Sequence, residues 1–358
     1  MAEFREYLVM LNSDPSDAQA LAELQKLPPA VLGSPEAASA LDEARVSLRG
    51  KGAAETAVQL FDVELAHVGS ERQGELLLGK AQVVFEDLLN PGSGVACLDE
   101  ALRVHPGLQE AQELREHLAL VKTHWEEIVE KYLAEAEATT EKTLATTLYR
   151  AAAETYARYQ PEGKETEEFL KKALAVDPTN QRAAMQLSRL LHKAQRWEEL
   201  RTHLESVIES AEKAEQSNAA WVQLADLAKG ALGDPELATR AMKMVIASDP
   251  GHPRAISFLA GIYQGEENWA AAVTLYANAL KSRRRSGSPE TEIDMLIQIG
   301  MLHWRRLEDA DAAEEYFARL RKLSPAHPVQ LEFYKNYYGA RNQAGPLRQL
   351  CRQALQSV

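Results

Sequence analysis

Large apolar residues recur along this chain at offsets of three, four and seven, with charged and polar residues between them. That is the periodicity of helices that each bury one stripe. The stripes come in twos. Ile256, Leu259, Ala260 and Tyr263 are followed by Trp269, Ala272, Tyr276 and Ala279; Trp221, Leu224, Ala225 and Ala228 by Ala238, Met242 and Val245; Tyr149, Ala152, Ala153 and Tyr156 by Leu170 and Ala173. Trp125, Trp197 and Trp269 lie 72 residues apart and then 72 again, each opening a run with a smaller apolar residue three places on and a larger one seven places on. No stretch alternates apolar and polar residues long enough to predict a sheet.

Working outward from these runs, first-helix stripes open at Leu41, Glu75, Ala111, Tyr149, Ala184, Trp221, Ile256, Leu296 and Leu331, in steps of 34, 36, 38, 35, 37, 35, 40 and 35 residues. Small residues (Gly79, Ala153, Ser188, Ala225, Ala260, Gly300) fall where two helices would cross, and a larger side chain there would hold the backbones apart. Asp177-Pro178, Asp249-Pro250 and Ser324-Pro325 end second helices, because the residue before proline is pushed out of the helical region. The pattern resembles the tetratricopeptide repeat, a helix-turn-helix of about 34 residues with W-x2-L-G-x2-Y…A-x3-F…P. The resemblance covers most of the chain, is strongest from Tyr149 to Pro325, and is poorest at Glu75, where a charge replaces the usual aromatic. It implies an all-α, right-handed α-solenoid of about nine helix-turn-helix repeats, stable only when stacked.

Residues 1–36 fit the repeat less well. Phe4, Tyr7, Leu8 and Leu11 mark one helix ending near Asp14-Pro15, and Leu21 and Leu24 a second stopped by Pro28-Pro29. They read as an N-terminal capping segment ahead of an array over 37–358, with the longest inter-repeat loop near 282–290. Extra loop residues are expected at Asn90-Pro-Gly-Ser-Gly94, Pro161-Glu-Gly163 and Gly233-Asp-Pro235. The last helix, from Pro346, carries Leu347, Leu350, Cys351, Ala354 and Leu355, which predicts further repeats or another domain after 358.

Charge changes the functional picture. A net charge of −13 and a pI near 5.3 argue against a general nucleic-acid or anionic-membrane binder, since both need a positive surface. No run approaches 18 apolar residues, and no basic-then-apolar leader opens the chain. The two cysteines, Cys97 and Cys351, sit on distant helices, read as buried small hydrophobes, and leave a reducing cytoplasm as the compartment. Gly163-Lys164 lacks the upstream glycine of a P-loop, and no HExxH, paired CxxC, GxSxG or EF-hand loop is present. No catalytic, metal or cofactor site is expected. His105, His252 and His327, beside prolines, read as turn residues. The three array tryptophans read as core between paired helices.

In the family, first helices line the concave side of the array. Carried onto this chain, the groove positions are Arg150, Arg182, Met185, Arg189, His192, Lys193, Arg254, Trp304 and Arg305, with Val222, Lys229 and Ile297 beside them. Such a row in an acidic chain would attract an acidic or phosphorylated segment, with guanidinium forks pairing its carboxylates. Glu154 and Asp226 occupy equivalent places and weaken that field. The family's carboxylate clamp of lysine and asparagine is not reproduced. Arg283-Arg284-Arg285 reads as a solvated linker or a docking patch. The expected function is therefore a non-enzymatic scaffold or adaptor that holds a peptide or helical segment of a partner protein, with no nucleic acid, no membrane and no cofactor. Two other readings stand beside it: a peptide- or ligand-sensing regulator, and the recognition arm of a larger enzyme whose catalytic domain lies outside this chain.

Overall fold

Seven turns share one geometry. In each, a helix ends, one residue enters the left-handed region, and the next helix begins two residues later. The left-handed residues are Gly52 (φ 76°), Leu89 (51°), Gln195 (55°), Gly233 (63°), Glu267 (55°), Glu308 (55°) and Asn342 (57°). At Gly52, Gln195, Glu267 and Asn342 the amide of the left-handed residue bonds a carbonyl three back, and the next amide a carbonyl five back. Gln195 donates to His192 O (3.0 Å) and Arg196 to Leu191 O (3.0 Å); Glu267 and Asn268 repeat the set on Gln264 and Tyr263 (3.2 and 2.8 Å). This is the Schellman cap, which satisfies the orphan carbonyls of a helix while reversing the chain. Asn90, Asp234 and Asp309 instead reach six back, to Val84, Ala228 and His303, so each of those helices ends one residue wider.

The computed structural model describes residues 2–161, 163–283 and 289–356. These divide into two compact units, Met1–Asp234 and Pro235–Val358. The first opens with α1 (Ala2–Ser13), α2 (Ala18–Gln25) and the short α3 (Pro29–Leu32). Phe4, Leu8, Leu11, Leu24 and Leu32 bury their side chains with Leu41 and Leu48 of the following helix. Then come α4 (Pro35–Gly50) with α5 (Ala54–Leu65), α6 (Ser70–Glu86) with α7 (Pro91–Val104), α8 (Gln109–Ala138), α9 (Lys142–Tyr159) with α10 (Glu165–Val176), α11 (Gln181–Lys193) with α12 (Trp197–Ser210), and α13 (Asn218–Leu227), which runs into a π-helical turn, Ala228–Leu232. The second unit holds α14 (Pro235–Ser248), α15 (Pro253–Gly265) with α16 (Trp269–Arg283), α17 (Pro289–Arg305) with α18 (Ala310–Leu323), and α19 (Pro328–Ala340) with α20 (Ala344–Gln356).

All nine stripe openings fall in distinct helices in the positions the period requires, and Trp197 and Trp269 are the first residues of α12 and α16. The crossing residues explain themselves. A Cβ on Gly79 would lie 2.9 Å from the Phe61 ring, and one on Gly300 2.8 Å from the buried Phe317 ring. His252 and His327 cap α15 and α19, their ring Nδ1 accepting from Ala255 N (3.4 Å) and Val329 N (3.3 Å).

Three expectations change. Asn90-Pro-Gly-Ser-Gly94 is not extra loop: Asn90 caps α7, accepting from Ser93 N (3.1 Å), and Pro91 fills its first position, where no amide is needed. The helix opening at Ala111 does not turn back before Trp125. The chain continues as one 30-residue α8, bent at His124 (φ −134°, ψ 19°), with no left-handed residue to reverse it. The Thr123 hydroxyl, bonded to Leu120 O (2.8 Å) and the His124 ring (2.7 Å), sits at the bend, and Trp125 beyond it packs on Tyr156 and Tyr159. Finally, Cys351 is exposed on α20 rather than buried, and Cys97 is half-buried; both are free thiols. Of the arginine run, Arg283 closes α16, and Arg284 and Arg285 fall outside the described residues.

Candidate functional site

Of the predicted groove residues, Arg150, Arg182, Met185, Arg189, His192 and Lys193 lie in the first unit, while Arg254, Trp304 and Arg305 lie in the second. In the second unit the Arg305 guanidinium stacks 3.6 Å over Trp304 and pairs with Glu332 of α19 (2.6 Å). Trp304 meets Phe333 edge-on. Arg254 stands half-buried near the start of α15.

In the first unit the basic row is real, but much of it is already engaged by the chain itself. The turn closing α6 lies against α11. Asp87, almost wholly buried, holds one guanidinium on each oxygen: Arg49 Nε of α4 on Oδ2 (2.7 Å) and Arg182 Nε of α11 on Oδ1 (2.7 Å). Glu86 meets the same two arginines at 2.8 and 3.4 Å. Gln186 Nε2 donates to the Glu86 carbonyl. Arg189 donates to Gly52 O (2.7 Å), to Asp87 O (3.4 Å) and to the Glu55 carboxylate. One helical turn away on α9, Arg150 pairs with Glu154 (2.8 Å), both largely buried. Burial pushes the Glu154 carboxyl up to about 7, against the pull of Arg150 and Arg182 and with help from Glu86 and Asp87.

Gly52 makes this approach feasible. Its positive φ suits glycine, and an added Cβ would fall 2.3 Å from Met185 Cγ. The thioether of Met185 in turn accepts from Gln223 Nε2 of α13 (3.2 Å). Met185 lies on α11, and what it touches is its own chain.

Beside this contact a groove of about 540 Å³ remains open. Ser188, His192 and Lys193 of α11 form one wall; Asp226 of α13 with Gly230 and Ala231 of the π turn form the other; Trp197, Leu200, Leu204 and Leu227 supply apolar lining. Twelve positions separate Trp221 from Gly233, where eleven separate Ala184 from Gln195; the same twelve separate Leu296 from Glu308, where α17 shows no π turn. A π turn absorbs one inserted residue without breaking the helix, and such turns recur at functional sites. His192 and Lys193 stand exposed on the rim, His192 edge-on to Trp197. Trp197 is thus half-buried and faces the groove as well as its own helix pair, where the sequence reading gave it only a core role. Among the described residues no cluster of histidine, cysteine, aspartate and glutamate is suited to a metal ion, and no helix is long and apolar enough to cross a membrane.

What decides the structural class is the recurring unit: a striped helix, a left-handed cap residue, a second helix two residues on, and a small residue at the crossing. Over its described residues the chain is an all-α protein of repeated helix pairs that resemble tetratricopeptide repeats. No family model matches its sequence, and no curated protein matches it. Similar solved structures include YrrB, described as a TPR protein with an unusual peptide-binding site (15% identity, 58% of this chain and 97% of that one, TM-score 0.32). PilF of Pseudomonas aeruginosa matches at 16% identity over 75% of this chain and 99% of its own, TM-score 0.31. The APC/C hetero-tetramer Cut9-Hcn1 matches at 16% identity over 97% and 65%, TM-score 0.28. Scores this low carry no argument; the class rests on the chain's own helix pairs and caps.

Proposed function

We propose that this tetratricopeptide-like chain is a non-enzymatic scaffold or adaptor, acting in the cytoplasm, that holds a peptide or helical segment of a partner protein in the groove between α11 and α13. The observation that carries the reading is the groove's construction. Leu200, Leu204 and Leu227, themselves almost wholly buried, close the floor of a groove of about 540 Å³, and His192 and Lys193 on its rim have no ion pair among the described residues. Apolar anchors would supply most of the affinity, and the rim would set register and association rate for a segment bearing carboxylates. The unpaired thiols Cys97 and Cys351 are in keeping with a reducing compartment.

Gly230 offers a clean test. A Cβ built there meets nothing within 4 Å, so Gly230→Trp fills the groove without disturbing the fold. For peptides selected by display on the wild-type chain, Gly230→Trp should weaken binding at least about tenfold, some 1.4 kcal/mol. Lys193→Glu should weaken those that carry acidic residues and spare neutral ones. Retention of full affinity by Gly230→Trp, with an unchanged melting curve, would remove the groove from consideration.

A further inference from the structure

The contact between the α6 turn and α11 has the composition of peptide recognition rather than of ordinary helix packing. α11 reads both the side chains and the main chain of the turn. Arg182 takes the Asp87 carboxylate, Gln186 takes the Glu86 carbonyl, and Arg189 reaches the Asp87 carbonyl. One residue earlier, Phe85 lies under the Arg158 guanidinium of α9, 4.8 Å from its centre. Phe85 is otherwise buried with Leu78, Ala81 and Leu98 in the core of its own helix pair, so the segment recognised by α11 is the pair of carboxylates at the helix end. Residues about 95 to 100 positions apart make these contacts. We propose that the face formed by Arg182, Gln186 and Arg189 of α11 is a binding site for a helix end of a partner protein that carries two adjacent carboxylates, and that the chain's own Glu86-Asp87 fills it in cis.

Two features make the cis ligand displaceable. Its edge is wet: Glu86 is 41% and Arg182 28% exposed, so a competing carboxylate can reach the guanidinium before the internal one has left. The segment carrying it is tethered through α8, whose single bent residue, His124, has neither proline nor glycine to fix the bend. Straightening α8 would restore the ordinary helix at that residue and carry α4 to α7 away from α11, exposing the arginine face. Arginine forks suit this exchange, because they hold a carboxylate bidentately and stay charged at every physiological pH. The inference rests on reading the chain as a binder of protein segments, but its face centres on Arg182 and Gln186 and meets the groove that Gly230→Trp blocks only along Arg189.

The probe is a fluorescein-labelled peptide of residues 81–91, with a control in which glutamine and asparagine replace Glu86 and Asp87. The full chain is compared with the near-isosteric Glu86→Gln/Asp87→Asn variant, whose internal ligand has lost its charge. The variant should bind the acidic peptide at least about tenfold more tightly than wild type does. Adding Arg182→Gln/Arg189→Gln should return it to the wild-type level, and the control peptide should bind neither. Gly230→Trp should leave all of this unchanged, which separates failure here from failure of the groove. A variant that keeps its circular dichroism and its hydrogen-exchange protection in α9 to α12, yet binds no better than wild type, overturns the proposal. If the variant unfolds, the wild-type chain decides. Saturating acidic peptide should speed amide exchange at residues 52–55 and 88–90 while the control does not, and equal exchange with both overturns it.

Discussion

Glu64→Ala should destabilise the α4–α6 region by about 3–5 kcal/mol, the cost expected when one partner of a buried ion pair is removed. Glu64 is fully buried and accepts from two guanidiniums, Arg45 on one oxygen and Arg72 Nε on the other (2.8 Å). Arg45 is itself buried, bonded to Asp42 (2.6 Å) and Leu60 O (3.0 Å), and lies 4.5 Å over the Phe61 ring. Without the carboxylate its charge stays in an apolar site with a partial set of acceptors, and the alanine leaves a void besides. Glu64→Gln keeps the shape and one acceptor oxygen, so its loss should be smaller. Hydrogen exchange of the α4–α6 amides measures both. A Glu64→Ala loss below about 1 kcal/mol would show that Arg45 finds other partners and that the network is not a structural centre.

The second large effect is pH-dependent and comes from Glu154. Its carboxyl is pushed from 4.5 to about 7, first by burial, with Arg150 and Arg182 opposing and Glu86 and Asp87 adding to the rise. Between these two values the folded chain keeps a proton that the unfolded chain has released. Stability from this group is therefore fully present below about pH 4.5 and falls as pH rises towards 7. At about 1.4 kcal/mol per unit, the loss across the window is about 3–4 kcal/mol. Glu154→Gln cannot release a proton, so it should be favoured over wild type by roughly that amount at pH 8 and little at pH 4.5. Urea unfolding of both proteins at the two pH values gives the comparison. Parallel stability profiles would mean that Arg150 holds Glu154 ionised throughout.

The helix pairs were legible in the sequence because the forces that make them are local. An apolar residue every three or four positions, a small residue at each crossing and an Asp-Pro at the end of a helix are read within a few dozen residues. The fate of α8 was only weakly signalled: from Gln109 to Ala138 the chain has no glycine, proline, asparagine or aspartate, the residues that take a left-handed cap most readily. Gln195 and Glu267, by contrast, adopt that conformation without being glycine, at a cost of about 1 kcal/mol each, so a search for glycine finds only Gly52 and Gly233. The arginine row was also readable from register. Its internal carboxylates were not, because Asp87 and Arg182 stand 95 residues apart and no periodic pattern couples them. The π turn beside the groove was not legible, because the one extra residue before Gly233 also occurs before Glu308, where no π turn forms.

The claim that the acidic turn of the α6–α7 pair is seated on α11 is tested most directly by a double-mutant cycle on Asp87 and Arg182. Asp87→Asn, Arg182→Gln and the double variant should give a coupling energy of about 1–3 kcal/mol in the unfolding of the first unit. Losses that simply add, with coupling near zero, would place these side chains apart in solution and contradict the contact on which the arginine face is built.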